Sequence, residues 1–313
     1  MKAEDELTAS PLRIGISTRA LFDLEEEHNV FEGQGVDAYI ELQRTRENER
    51  LKPGAGFQVV ERLLKLNNDS QTPYVEVILL SRNAPDLSLR AFKSIDEFGL
   101  NIKLGSFTSG RSLAPFVPAW DIDLFLSNDP SDVRSVANAG TAAALLREPP
   151  ENVSYDRNEE EVRIAFDGDA VVFSPESDEV YKNQGLEAFF QHERENAQNP
   201  MSAGPFYGFL KKLSMLREIN IYKPRVSKVR IGIVTARNAP AHERVIYTLR
   251  AWGTPADEAH FVGPNAKGPI LEAMGAHIFF DDQKKHIDSA ATIVPSGQVP
   301  GPHDNENPII PAG

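Results

Sequence analysis

The chain has 313 residues, 41% hydrophobic and 25% charged, with a net charge of −13 (33 basic minus 46 acidic) and no cysteine. That composition suits a globular protein of two domains, and it excludes disulfides, thiolate metal sites and cysteine nucleophiles. So acidic a chain disfavours a general nucleic-acid binder; a small phosphorylated ligand would need a local cluster of cations or a metal ion.

The opening residues, MKAEDELTASPLR, are acidic and lack an apolar core, and no run of about 18 apolar residues follows, so neither a signal peptide nor a membrane span is expected. A cytoplasmic protein is the reading. Along the chain, short β-branched runs alternate with helical patterns: LRIGIS (12–17), YVEVILLS (74–81), IDLFLS (122–127), VRIAFD (162–167), VRIGIVT (229–235) and HIFFDD (277–282). Strands alternating with helices predict an α/β fold with a parallel sheet covered on both faces. Ligands of such sheets bind beyond the carboxyl ends of the strands. Here those ends carry Ser17, Ser81, Ser127, Asp167, Thr235 and Asp281.

The pattern repeats. Sliding the chain by 150 residues pairs RIGISTRA (13–20) with RIAFDGDA (163–170) and VFEGQGVDAY (30–39) with VYKNQGLEAF (180–189). Over the 54 pairs from 13/163 to 66/216 there are 12 identities, where average usage gives about three. Later segments match at shifts of 154 to 160: SRNAP (81–85) with ARNAP (236–240), LRAF (89–92) with LRAW (249–252), and LFLSN (124–128) with IFFDD (278–282). Two tandem Rossmann-like units at 12–148 and 161–297 are therefore expected. A polar linker (147–161) would join them and a Pro/Gly-rich tail (298–313) would follow.

The copies differ where chemistry would sit. IAFDGDAVVF (164–173) interrupts an apolar run with Asp167, Gly168 and Asp169, all poor strand formers, before the run resumes. The first copy has Ser17, Thr18 and Arg19 there, and Ser127 opposite Asp281. If folding needed the carboxylates, the first copy would need them too, so function is the better account. A carboxylate attacking a phosphoryl group needs a cation between the two negative charges, with Asp167 and Asp281 as candidate ligands. Asp167 suits a nucleophile, Asp169 a proton donor and acceptor. Thr235 and Lys267 suit phosphate oxygens. Arg237 and Asn238, directly after Thr235, are candidates for phosphate or sugar contacts.

In order, FDGDAV (166–171), IVTARN (233–238), NAKGP (265–269) and FFDDQ (279–283) resemble the four motifs of the haloacid dehalogenase-like phosphatases. More narrowly, STRALFDLEEE (17–27), LLSRNAPD (79–86) and AFDGDAVVFSPESD (165–178) resemble the cytosolic type I 5′-nucleotidases, over roughly 12–297. The resemblance implies hydrolysis of nucleoside 5′-monophosphates, of AMP or IMP type, with Mg²⁺. Asp167 falls on the nucleophile, Asp169 on the acid/base, Thr235 and Lys267 on the phosphate contacts. Asp167, Asp169 and Asp281 are the metal-ligand candidates.

The insertion between the first two motifs, about 174–228, is expected to form a helical cap over the second unit. Its Phe189, Phe190, Phe206, Tyr207 and Phe209 either stack on a base or, more in keeping with helical spacing, pack on one another. In the first unit Arg19 either pairs with Asp23 or Glu25 or takes an anion. The histidines show no zinc spacing. Alternatives are a phosphatase of the same mechanism acting on another small metabolite, and a nucleotide-binding protein without turnover. A homo-oligomer stays open.

Overall fold

The structure is a computed structural model that describes residues 2–67, 72–148, 150, 156, 159–223 and 226–301. Much of the expected linker (149, 151–155 and 157–158) and most of the tail (302–313) lie outside the described residues.

One sheet organises the molecule. Its strands in chain order are β1 (Leu12–Ile16), β2 (Val75–Ser81), β3 (Leu104–Phe107), β4 (Leu124–Ser127), β5 (Ala142–Leu146), β6 (Val162–Phe166), β7 (Val229–Thr235), β8 (Glu258–Phe261), β9 (Ile278–Asp281) and β10 (Ser296–Gln298). All six apolar runs read from the sequence are among them. The order across the sheet is β8-β7-β6-β9-β10-β5-β4-β1-β2-β3. Every neighbouring pair is parallel except β10 and β5, which run antiparallel through Gly297↔Leu146 and Gln298↔Leu145. From edge to seam, β3-β2-β1-β4-β5 in the first half has the same plan as β8-β7-β6-β9-β10 in the second. Because the seam is antiparallel, the carboxyl ends of the two halves emerge at opposite ends of the sheet.

Register makes the correspondence residue by residue. Ile14 stands opposite Val77 and Leu124, while Ile164 stands opposite Ile231 and Ile278. Ser17, Ser81 and Ser127 therefore occupy the positions of Asp167, Thr235 and Asp281. The register departs from the sequence match in two places. From β2 onward the shift is 154, one less than the SRNAP/ARNAP match implies and six less than LRAF/LRAW. The helices Ser88–Phe98 and His242–Trp252 correspond end to end at that shift, each followed by a left-handed glycine, Gly99 or Gly253. Buried contacts agree: the Leu51 amide donates to Ser94 Oγ and the Met201 amide to Thr248 Oγ1, both at 3.0 Å.

The helical excursion is not peculiar to the second half. The 20-residue helix Glu176–Glu195 bends at Gly185 (φ 84°), and the first half makes the same bend with Glu25–Gln34 and Val36–Thr45 around Gly35 (φ 87°). Glycine reaches this left-handed backbone without the penalty a Cβ brings. Among the described residues of 174–228, only Glu176–Glu195 lines the cleft at the strand ends. Tyr207–Ile219 instead covers the sheet, burying Phe209, Leu210, Leu213 and Leu216, with the Phe209 ring 6.0 Å from Phe166 and Phe206 5.0 Å from Phe280. Those two phenylalanines thus belong to the core. Ile14, Ile16 and Leu79 share that core with Ile164, Phe166 and Ile231, so it runs through both halves on one sheet face. On the other face each half keeps a core of its own. No described helix is long and apolar enough to cross a membrane.

Candidate active site

Strand β6 ends at Phe166, and Asp167 follows at the middle of the second half, its amide donating to the Phe280 carbonyl of β9 at 2.8 Å. The apolar run does not resume as a strand after Asp169. Ala170 takes a left-handed φ of 60°, and the amides of Val172 and Phe173 both turn back to the Gly168 carbonyl, at 3.0 and 2.9 Å. Val171, Val172 and Phe173 are fully buried in this turn. Gly168 fits because a Cβ there would lie 3.2 Å from Thr235 Oγ1 and 3.4 Å from the Phe173 ring. Thr235, itself buried, accepts the Arg237 amide on Oγ1 at 3.3 Å.

Lys267 lies at the start of the helix Gly268–Met274, and its ammonium bridges two strand ends. Nζ is 2.8 Å from Asp167 Oδ1 and 2.6 Å from Asp281 Oδ2. His286 Nδ1 is 3.1 Å from the same Asp281 oxygen, and the Gln283 amide donates to Asp281 Oδ1 at 2.8 Å. All three charged groups of the bridge are buried, so electrostatics there is strong. Burial pushes the Asp167 carboxyl up to about 6 against the pull of Lys267, and Asp281 adds to the rise. Asp282 is raised well above the usual carboxylate range by burial and by Asp281 and Asp167. Burial also opposes charge on Asp281, but Lys267 and His286 outweigh it and its pKa falls. Lys267 likewise overcomes burial through its two carboxylates and is held above its ordinary value.

These residues suit a divalent cation. Asp167, Asp281 and His286 present ligating atoms within 4.8 Å of one another, and carboxylate oxygen is the donor a hard cation prefers. Asp167 Oδ1 is buried and accepts no hydrogen bond of good geometry. Two buried carboxylates, Asp167 and Asp281, lie against the Lys267 ammonium, and buried Asp282 adjoins them, a crowding of acidic groups that a cation would offset.

The Asp169 carboxylate lies outside this trio. Arg237 holds it by two hydrogen bonds, Nε to Oδ2 at 2.8 Å and Nη2 to Oδ1 at 2.7 Å. The same guanidinium pairs with buried Glu193, which also accepts from Ser177 Oγ at 2.7 Å and from Arg244 Nη1 at 3.1 Å. The charge of Arg237 thus links the acid/base candidate to the excursion helix. Its counterpart by register is Asn83, not Arg82, so the shared RNAP string does not give it a double in the first half. Asn238 is exposed and lines the cleft.

That cleft, about 1150 Å³, opens between the strand ends and the helix Glu176–Glu195; Asp169, Arg237, Asn238, His286, Phe189 and Phe190 are on its walls. Along one wall Tyr181 packs edge to face on Phe189 with centroids 6.2 Å apart, and Phe190 lies tilted against Phe189 at 5.6 Å. Glu193 and His286 were not read as site residues from the sequence. Glu193 had one signal, since it stands opposite Gln43 at the 150-residue shift and so changes charge between the halves. His286 had only its place five residues after Asp281.

In the first half Arg19 pairs with Glu25, Nε to Oε1 at 2.9 Å and Nη2 to Oε2 at 2.8 Å. The ion pair rather than a free cation is what the structure holds there.

Cytosolic 5′-nucleotidase 1B of Homo sapiens is 34% identical over 289 residues, which are 89% of this chain and 47% of that protein. The chain thus spans about half the length of that curated relative. No solved structure gives a significant match. The model of a family described as 5′-nucleotidase matches residues 4–306, nearly the whole sequence. The chain belongs to the 5′-nucleotidase family.

Proposed function

We propose that this chain is a cytoplasmic, Mg²⁺-dependent 5′-nucleotidase that hydrolyses nucleoside 5′-monophosphates to nucleoside and phosphate. The observation that carries the reading is the buried Asp167–Lys267–Asp281 bridge, joined through His286 to a cleft whose wall holds Asp169 in the grip of Arg237. Asp167 and Asp281, with His286 beside them, would hold the ion. Once bound, it would neutralise phosphoryl charge as a Lewis acid.

The protein's own groups do the rest. An Asp167 oxygen attacks phosphorus, the bond from phosphorus to O5′ breaks, and Asp169 gives its proton to the leaving oxygen, releasing the nucleoside. Asp169, now ionised, takes a proton from water as that water attacks the aspartyl-phosphate. The bond from phosphorus to the Asp167 oxygen then breaks and inorganic phosphate leaves. Lys267 and Thr235 hold phosphoryl oxygens, and Asn238 contacts the sugar or phosphate. Phe189 and Phe190 on the excursion helix, which acts as the cap, lie against the base. In this reading the halves 12–148 and 161–297 are copies of one haloacid dehalogenase-like unit, and the first is catalytically silent.

Phosphate release from AMP, IMP and a panel of sugar phosphates, with Mg²⁺ and with EDTA, tests the proposal. Release from the nucleotides that stops in EDTA and returns with Mg²⁺ is expected. A preference for sugar phosphates would move the substrate, and equal rates in EDTA would remove the metal.

A further inference from the structure

The first half has a cleft at the same place in its own strand order, about 580 Å³ in volume, within the ~300–1,000 Å³ typical of small-molecule sites. Its floor is built from Ser17, Ser81 and Ser127 at the ends of three adjacent strands, all buried. Each hydroxyl oxygen already accepts a backbone proton at 3.1 Å: Ser17 from Ala20, Ser81 from Asn83 and Ser127 from Asp129. What each has left to offer is its own proton, and among the described residues none of the hydrogen bonds uses it. Next to Ser17, Thr18 is 6% exposed and its Oγ1 has no hydrogen-bond partner among the described residues. A buried hydroxyl without a partner is a net cost to the fold. Keeping one in a cleft suggests that a ligand supplies what the protein lacks.

The charge has been inverted as well. Asp167, Asp169 and Asp281 of the second half become Ser17, Arg19 and Ser127, from three carboxylates to two hydroxyls and a cation. Three acids meet two arginines around the cleft: Glu25 pairs with Arg19, while Asp129 and buried Asp132 share Arg82, at 2.6 and 3.4 Å. None of the three strand ends carries a carboxylate, and the two that line the cleft, Asp129 and Asp132, lie against Arg82. Neighbouring strands are about 4.8 Å apart, close enough for their terminal hydroxyls to reach the oxygens of one phosphoryl group. At the mouth, Phe31 is 46% exposed and packs edge-on to Tyr39 at 5.9 Å, offering an aromatic face.

We propose that the first-half cleft is a metal-independent binding site for a nucleotide-sized phosphomonoester. Ser17, Thr18, Ser81 and Ser127 donate to its phosphoryl oxygens, and Phe31 lies against its base. The site works on the opposite end of the sheet from the candidate active site. It is lined by donors, without the nucleophile, the acid/base or the bridging lysine, so a phosphate ester is held there intact. The choice of a nucleotide as ligand rests on the nucleotidase reading; the hydroxyl floor does not.

Equilibrium dialysis of the full chain against AMP and against adenosine, both in EDTA, tests it. AMP is expected to bind, with adenosine at least about tenfold weaker because it has no phosphate. Thr18→Val removes the hydroxyl and keeps the shape; it and Ser127→Ala are each expected to weaken AMP binding by about tenfold or more, the usual loss of a bond to a charged group. Thr18→Val should melt no lower than the parent, since its hydroxyl has no hydrogen-bond partner among the described residues. No AMP retained at millimolar concentration, adenosine binding as tightly as AMP, or AMP binding untouched by both substitutions would overturn the site. Phosphate release with Mg²⁺ is read separately: a parent that binds AMP through Thr18 in EDTA but never hydrolyses it would end the nucleotidase reading and leave this site standing.

Discussion

Arg237 grips Asp169 through a two-point pair, 2.8 Å from Nε to Oδ2 and 2.7 Å from Nη2 to Oδ1, while its remaining nitrogen pairs with fully buried Glu193. A two-point guanidinium–carboxylate pair fixes orientation as well as charge. The acid/base candidate is therefore aimed by a residue that is itself anchored in the excursion helix. Removing the anchor strands Glu193, whose other cation is Arg244 at 3.1 Å. Arg237→Ala should cost about 3 kcal/mol in urea unfolding, as loss of one partner from a buried pair does. Arg237→Lys should keep much of the stability and lose activity, because a single ammonium cannot hold Asp169 at two points. Full activity in a folded Arg237→Lys protein would show that the aim of Asp169 is immaterial.

Asp167→Asn keeps the side-chain shape and removes the attacking charge, so phosphate release should fall by several orders of magnitude. The fold should survive, since burial already disfavours the charged form of Asp167. Near-normal turnover would take the nucleophile's role from this residue.

Asp169→Asn should lose a comparable amount of rate with nucleotide binding largely retained. Binding and single-turnover rates measured on the same preparation separate the two effects. A variant that binds poorly yet turns over normally would mean that Asp169 contacts the ground state rather than transferring a proton.

Ser17→Ala should leave the maximal rate of phosphate release within a few-fold of the parent, since a hydroxyl without a base performs no phosphoryl chemistry. Abolished activity in a folded protein would undo the division into a working half and a silent one.

His277 supplies a pH signature remote from catalysis. Burial, with the charges of Arg62 and Arg163 beside it, pushes its pKa down from 6.5 to about 3. The folded ring therefore stays neutral where the unfolded one takes up a proton. Its contribution to stability is complete above pH 6.5 and is lost as pH falls from 6.5 towards 3. Thermal melts of His277→Gln across that window should fall less steeply with acid than those of the parent. Parallel curves would show that another group sets the acid limb.

The central strands and the Asp167 and Asp281 positions were legible because each combines a strong local pattern with an uncommon polar residue at its end; Lys267, in a loop just before the helix Gly268–Met274, stood out only through the order of the motifs. Four strands were not read. AAALL in β5 lacks β-branched residues and SGQ in β10 is three residues long; β3 and β8 are short edge strands. Pairing with established neighbours recruits them, and no local signal carries that. The same limit applies to Arg237. Its string matches Arg82 in sequence, yet the sheet register sets it opposite Asn83, and only tertiary pairing decides which match is real. Glu193 and His286 reach the site from helices whose placement depends on packing across many residues.

The antiparallel pairing of β5 with β10 bears on whether either half can live alone. Joined, the sheet presents two outer edges, β3 and β8. Cut apart, each half would bare a third kind of surface: β5 with its buried Ala142, Ala143, Ala144 and Leu146, or β10 with Gly297 pressed against Ala144 and Phe280. An unpaired row of amides and carbonyls flanked by apolar side chains recruits other chains. Each half is thus the other's protection against self-association, and that alone is reason for the chain to keep both, whatever chemistry the first performs.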